Sequence, residues 1–132
     1  MSDSPAACKQ VLLLDDEEAI LLPTARYFRT LGCSVDVARE PEEAAALVSH
    51  RRYDLAILDL RVTRFGGTEG LEVLREIRRR DHGTSVIVLS AYVSPEVEAE
   101  ARALGADGVL RKPQTLPDLA HLAFALMGAG RG

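Results

Sequence analysis

Short apolar runs of strand length alternate along this chain with longer amphipathic stretches of helix length, and that alternation restricts the fold more than any other feature. The runs Val11-Leu12-Leu13-Leu14, Cys33 to Ala38, Leu55-Ala56-Ile57-Leu58, Val86 to Leu89 and Gly108-Val109-Leu110 predict five strands. Between them, Glu17 to Leu31 carries Ile20, Tyr27, Phe28 and Leu31 at helical spacing, with Gly32 placed to end the helix. Pro41 suits the first position of a second helix running through His50. Leu71, Leu74 and Ile77 mark a third, which ends in Arg78-Arg79-Arg80. Ser94-Pro95-Glu96 starts a fourth that reaches Leu104 before Gly105. Leu119, Leu122, Ala123 and Leu126 stripe a fifth, roughly Thr115 to Met127. Repeated βα units predict an α/β protein with a parallel sheet.

The chain's 132 residues suit one domain, and its 47% hydrophobic and 27% charged content is that of an ordinary globular protein. We expect a folded unit over 9–127, an N-terminal tail over 1–8, and a tail or linker over 128–132. A net charge of -4 gives no electrostatic reason to grip a phosphate backbone, so direct nucleic-acid binding is not expected. With no basic leader and no membrane-length apolar run, the expectation is a cytoplasmic protein without membrane contact. Cys8 and Cys33 match no metal-ligand spacing and are read as free thiols.

The positions of the polar residues are more informative. Asp15-Asp16, Asp59, Ser90 and Lys112 stand just beyond the first, third, fourth and fifth strands, and the second strand ends in nothing comparable. In open parallel sheets ligands bind outside the carboxyl ends of the strands, where the winding reverses. A doubly wound, flavodoxin-like order 2-1-3-4-5 puts the second strand at an edge and gathers the other four ends. Two like charges about 5 Å apart repel by roughly 3 kcal/mol at an effective dielectric of about 20, so clustered carboxylates call for a cation. Oxygen donors suit Mg²⁺, and Lys112 adds a point charge able to hold a phosphoryl oxygen. Asp59, held at the end of a buried strand, is positioned as a nucleophile toward phosphorus and needs no general base.

Leu12-Leu13-Leu14-Asp15-Asp16-Glu17-Glu18, Leu58-Asp59-Leu60, Leu89-Ser90-Ala91, Gly105-Ala106-Asp107 and Leu110-Arg111-Lys112-Pro113 together resemble the receiver domains of two-component response regulators, over roughly residues 9–127. The resemblance implies Asp59 as phospho-acceptor, Asp15 and Asp16 as acidic Mg²⁺ partners, and the backbone carbonyl of Arg61 as a further metal ligand. It implies that Ser90 turns onto the phosphoryl group, that Lys112 bonds it, and that the Lys112-Pro113 peptide is cis. It also implies a histidine kinase or phosphotransfer protein upstream, and an output protein or fused effector domain downstream.

Each residue also has a plainer reading. Asp16 suits an N-cap of the first helix, a role compatible with metal binding. Ser90 alone suits a turn, and Lys112 alone a solvated surface. His50, His82 and His121 show no metal spacing, and Arg78-Arg79-Arg80 reads as a solvated helix end. Two features depart from the receiver pattern. The stretch from Leu60 to Gly70 is longer than usual and lacks a proline, which suggests a segment that gates donor access or hydrolysis. Val109 replaces the aromatic residue that many receivers carry there, which leaves Tyr92 as a candidate relay.

The leading function is thus a phospho-accepting switch. The alternative is a receiver-like module that binds partners without being phosphorylated. An aspartate-nucleophile phosphohydrolase would need an acid where Arg61 stands, and a flavin phosphate would be repelled by Asp15-Asp16-Glu17-Glu18.

Overall fold

The structure is a computed structural model that describes residues 8–60, 69–81 and 83–129. Five strands, β1 (Gln10–Leu14), β2 (Ser34–Ala38), β3 (Leu55–Leu58), β4 (Ser85–Ser90) and β5 (Gly108–Arg111), alternate with five helices, α1 (Glu18–Thr30), α2 (Pro41–His50), α3 (Glu69–Arg80), α4 (Pro95–Ala103) and α5 (Leu116–Ala129). All strand pairs are parallel, and the sheet order is β2-β1-β3-β4-β5. The predicted α/β, doubly wound fold is therefore the observed one.

Side-chain alternation divides the core into two layers. Leu12, Leu14, Ala56, Leu58, Val86 and Val88 face one side, against Ala44 and Val48 of α2, Leu71, Leu74 and Ile77 of α3, and Ala101 of α4. Val11, Leu13, Leu55, Ile57, Ile87 and Leu89 face the other, against Leu21, Ala25 and Phe28 of α1 and Leu119, Ala120 and Ala123 of α5. Burial on both faces explains why β3 and the Val86 to Leu89 stretch of β4 are continuous apolar runs with no polar alternation. Among the described residues, no helix is long and apolar enough to cross a membrane.

The helix punctuation follows local chemistry. Gly32 has φ 97° just after the α1 C-cap Leu31, and Gly105 has φ 111° just after the α4 C-cap Leu104, in the left-handed region where a Cβ is strained. The Ser94 side chain accepts from Val97 N–H at 3.1 Å and caps α4, and Thr115 Oγ1 accepts from Asp118 N–H at 3.1 Å where α5 begins.

Two readings need correction. Glu17, not Asp16, occupies the N-cap position of α1, and it makes no side-chain cap bond; the Asp15 carboxylate instead accepts the Glu17 N–H at 2.9 Å. The run Arg78-Arg79-Arg80 is not uniformly solvated. Arg79 and Arg80 pair with Glu76 one turn back, but the Arg78 side chain is 9% exposed. Its guanidinium donates to the carbonyls of Gly105 and Thr84 and to Asp107 Oδ2, tying α3 to the starts of β4 and β5. A helix end that lands on a neighbouring loop buries a residue that one-dimensional periodicity assigns to solvent.

Candidate functional site

Backbone pairing carries on one residue past the strand ends and thereby aims the site side chains. Asp15 N–H donates to Ala38 O at 3.1 Å, Asp59 N–H to Leu14 O at 2.9 Å, and Lys112 N–H to Ser90 O at 2.8 Å. Since β1 and β3 are neighbours from which the chain winds in opposite directions, Asp15 and Asp59 flank the crevice of the switch point.

Lys112 Nζ reaches across this crevice, 2.8 Å from Asp15 Oδ2, 3.0 Å from Asp59 Oδ2 and 3.3 Å from Glu17 Oε1. The side chains of Lys112, Asp15 and Asp59 are all less than a tenth exposed, whereas Glu17 is 61% exposed. Burial disfavours the Lys112 ammonium, but its bonds to Asp15 and Asp59 outweigh that penalty and hold its pKa above the usual lysine range. The amine is therefore charged across the physiological range.

Carboxylate oxygens of Asp15, Glu17 and Asp59 lie within 4.8 Å of one another. Such an all-oxygen set fits a hard divalent cation better than a softer one such as Zn²⁺ or Cu²⁺, which would prefer imidazole or thiolate. Asp16 is exposed and lies outside this grouping. Ser90, at the end of β4, is fully buried, with its Oγ 3.4 Å from the Tyr92 N–H and 3.5 Å from the Tyr92 carbonyl. The Lys112-Pro113 peptide is cis. Val109 is half-buried against the α2–α3–α4 layer, and the Tyr92 ring is 70% exposed. Arg61, most of the stretch from Leu60 to Gly70, and His82 lie outside the described residues. His50 and His121 are exposed on α2 and α5.

Two contributors escaped the sequence reading. Glu17 was visible only as one more acid after Asp15-Asp16. The sequence alone puts Gly70 with the loop, but it lies in the first turn of α3, where a Cβ would sit 2.8 Å from Leu60 Cα and 2.9 Å from the Asp59 carbonyl oxygen. The missing side chain lets α3 pack directly against the backbone that carries Asp59.

An open α/β sheet whose switch point holds a lysine between two strand-end aspartates defines a class built to handle a charged group at that point. The model of the response regulator receiver domain matches residues 11–124, and the chain belongs to that family. Its members are the phosphoryl-accepting switches of two-component signalling. A response regulator receiver protein from Anaeromyxobacter is 32% identical over 114 residues, which cover 86% of this chain and 47% of that protein. A CheY-like receiver domain from Methanospirillum hungatei superposes with a TM-score of 0.86 at 26% identity, covering 92% of this chain and 95% of that one. A Burkholderia pseudomallei response regulator, solved with a phosphorylated aspartic acid, calcium ion and citrate, shares the fold at a TM-score of 0.79 and 23% identity, covering 92% of this chain and 72% of its own. The chain spans 25% to 56% of the length of the curated relatives it matches.

Proposed function

We propose that Asp59 is the phospho-acceptor of this receiver and that Lys112, Ser90 and the acidic residues Asp15 and Asp16 serve the transfer. The observation that carries this reading is the bond from buried Lys112 to both Asp15 and Asp59 at the carboxyl ends of three strands. An Asp59 carboxylate oxygen forms a bond to phosphorus as the donor's P–N bond, in a phosphohistidine, or P–O bond, in acetyl phosphate, breaks. The leaving imidazole takes up a proton, or acetate departs as the anion. The chain's own part is positioning and charge balance. β3 presents the nucleophile, Lys112 holds an oxygen of the transferred group, and the Ser90 hydroxyl turns from Tyr92 to donate to another.

Asp15 and Asp59 are the residues to hold Mg²⁺, with Asp16 and the Arg61 carbonyl as the ligands that the family resemblance adds. When bound, Mg²⁺ supplies charge neutralisation for the carboxylates and the incoming phosphoryl oxygens. In this reading the receiver unit spans residues 9–127 and works in the cytoplasm. Its donor is a histidine kinase or phosphotransfer protein, and its output is a partner protein or a fused effector. The phosphorylated aspartic acid of the Burkholderia relative supports an acyl phosphate on this fold.

Incubation with acetyl phosphate and Mg²⁺, followed by intact-mass analysis, tests this. Wild type should gain one phosphoryl group and Asp59→Asn none. Equal labelling of the two would put the phosphoryl group on another residue, and no labelling of wild type would leave only a partner-binding module.

A further inference from the structure

Resting on the reading above, we propose that Glu17 is a further positioning residue of this site: an exposed third carboxylate that shares the Lys112 ammonium with Asp15 and Asp59 and strengthens divalent-cation binding at the pocket mouth.

Three observations converge on it. Glu17 occupies the N-cap position of α1 yet makes no side-chain bond to its own helix, so the usual local use of a polar cap residue is not made. Its Oε1 instead lies 3.3 Å from Lys112 Nζ, the group that also bonds Asp59. Its carboxylate belongs to the cluster with Asp15 and Asp59, whose oxygens lie within 4.8 Å of one another. Neighbouring acids are placed differently. Asp16 is exposed and outside the cluster, and Glu18 is held by Arg39 Nε at 2.6 Å.

Charge arithmetic states what Glu17 adds. Among the described residues Asp15 and Asp59 share the one Lys112 ammonium, and Glu17 adds a further negative charge beside them, which favours a divalent ion. Asp15 and Asp59 are buried at strand ends and cannot move far; Glu17, 61% exposed on a longer side chain, can release Lys112 or follow it without disturbing the core. An incoming phosphoryl group needs Lys112, so a movable counter-ion that hands the amine over is cheaper than a fixed one. The residue therefore couples cation affinity to the availability of the amine.

The test titrates Mn²⁺ by electron paramagnetic resonance and Mg²⁺ by calorimetry, at fixed pH, on wild type, Glu17→Gln, Glu17→Asp, Glu18→Gln and Asp16→Asn. Glu17→Gln should raise the Mn²⁺ dissociation constant by roughly three- to tenfold, with the difference shrinking at high salt. Glu17→Asp should recover part of the loss, and Glu18→Gln, which removes the same charge one residue away, should stay near wild type. Thermal unfolding should be alike in all of them, since Glu17 buries little. If Glu17→Gln matches wild type or Glu18→Gln, or if the whole loss appears in Asp16→Asn alone, the role given to Glu17 is wrong while the phospho-acceptor reading stands. If wild type binds neither ion and takes no phosphoryl group, both fall.

Discussion

Lys112 Nζ stands 3.0 Å from Asp59 Oδ2, joining residues 53 positions apart in sequence at the mouth of the sheet. The same nitrogen bonds Asp15, so one ammonium is shared by two buried carboxylates contributed by different strands.

Replacing that ammonium should therefore affect stability and chemistry together. Lys112→Met removes the ammonium that bonds both Asp15 and Asp59, and breaking a buried pair of this kind costs about 3 kcal/mol. Added Mg²⁺ should recover more stability in the variant than in wild type, because the ion supplies the missing charge. Phosphorylation by acetyl phosphate should slow by on the order of 10²-fold, the usual effect of losing one preorganised donor. Chemical denaturation with and without Mg²⁺, beside intact-mass kinetics, reads both effects.

Gly70 tests how closely α3 must approach the acceptor strand. A methyl group there would meet Leu60 Cα at 2.8 Å and the Asp59 carbonyl at 2.9 Å, both backbone atoms that cannot swivel away. Gly70→Ala should slow phosphorylation of Asp59 by about tenfold or more, as misplacement of a reacting group does. Gly128→Ala, where a Cβ meets nothing within 4 Å, should leave the rate unchanged and stabilise α5 slightly, by about 0.5–1 kcal/mol.

How far the sequence foretold this architecture depends on the range of the interaction concerned. Strand order and the convergence of Asp15, Asp59 and Lys112 follow from where polar residues interrupt apolar runs, because a strand end is a local event. The structure does bring Asp15, Asp59 and Lys112 into contact. Glu17 was not distinguishable from Asp16, since a one-residue difference in where α1 begins decides which acid faces the pocket. Arg78 was misread for a related reason: its partners Gly105 and Asp107 lie 27 and 29 residues away, beyond any helical periodicity.

Arg78 should behave unlike its two neighbours. Gly105 is held to a glycine both by its φ of 111° and by the Arg78 side chain, whose Nε would lie 2.6 Å from a Cβ. Arg78→Met strands the carbonyls of Thr84 and Gly105 and removes the ion pair to Asp107, so it should cost about 3 kcal/mol. Arg79→Met, on the exposed face, should change stability by less than about 0.5 kcal/mol. Urea unfolding midpoints separate the two.

Asp81, just past α3, gives a pH signature. The bond from Arg52 Nε at 3.0 Å, aided by the Gly83 N–H at 2.7 Å, holds its pKa below the ordinary aspartate value against a smaller opposing effect of burial. A depressed folded-state pKa contributes stability that is present above the unfolded value, near about 4, and is lost as the pH falls through the folded one. The melting temperature of wild type should exceed that of Asp81→Asn at pH 6, and the gap should close as the pH drops below about 4. A constant gap across that window would mean that Asp81 acts through its hydrogen bonds to Arg52 and Gly83 irrespective of charge.

Ser90 offers the most direct view of switching. Its hydroxyl is fully buried but holds Tyr92 only at 3.4 and 3.5 Å, the outer limit of a hydrogen bond, so turning it toward a stronger acceptor costs little. An anionic phosphoryl oxygen on Asp59 is such an acceptor, since charge-assisted bonds are shorter and about twice as strong as neutral ones. Rotation of Ser90 takes its hydroxyl away from the Tyr92 N–H and carbonyl, and so changes the surroundings of the backbone that leads into α4. On phosphorylation, the Tyr92 amide resonance should shift in wild type and stay nearly still in Ser90→Ala, which should still be phosphorylated at Asp59. Equal shifts in both proteins would show that the signal leaves the site by another route, with the half-buried Val109 as the next side chain to probe.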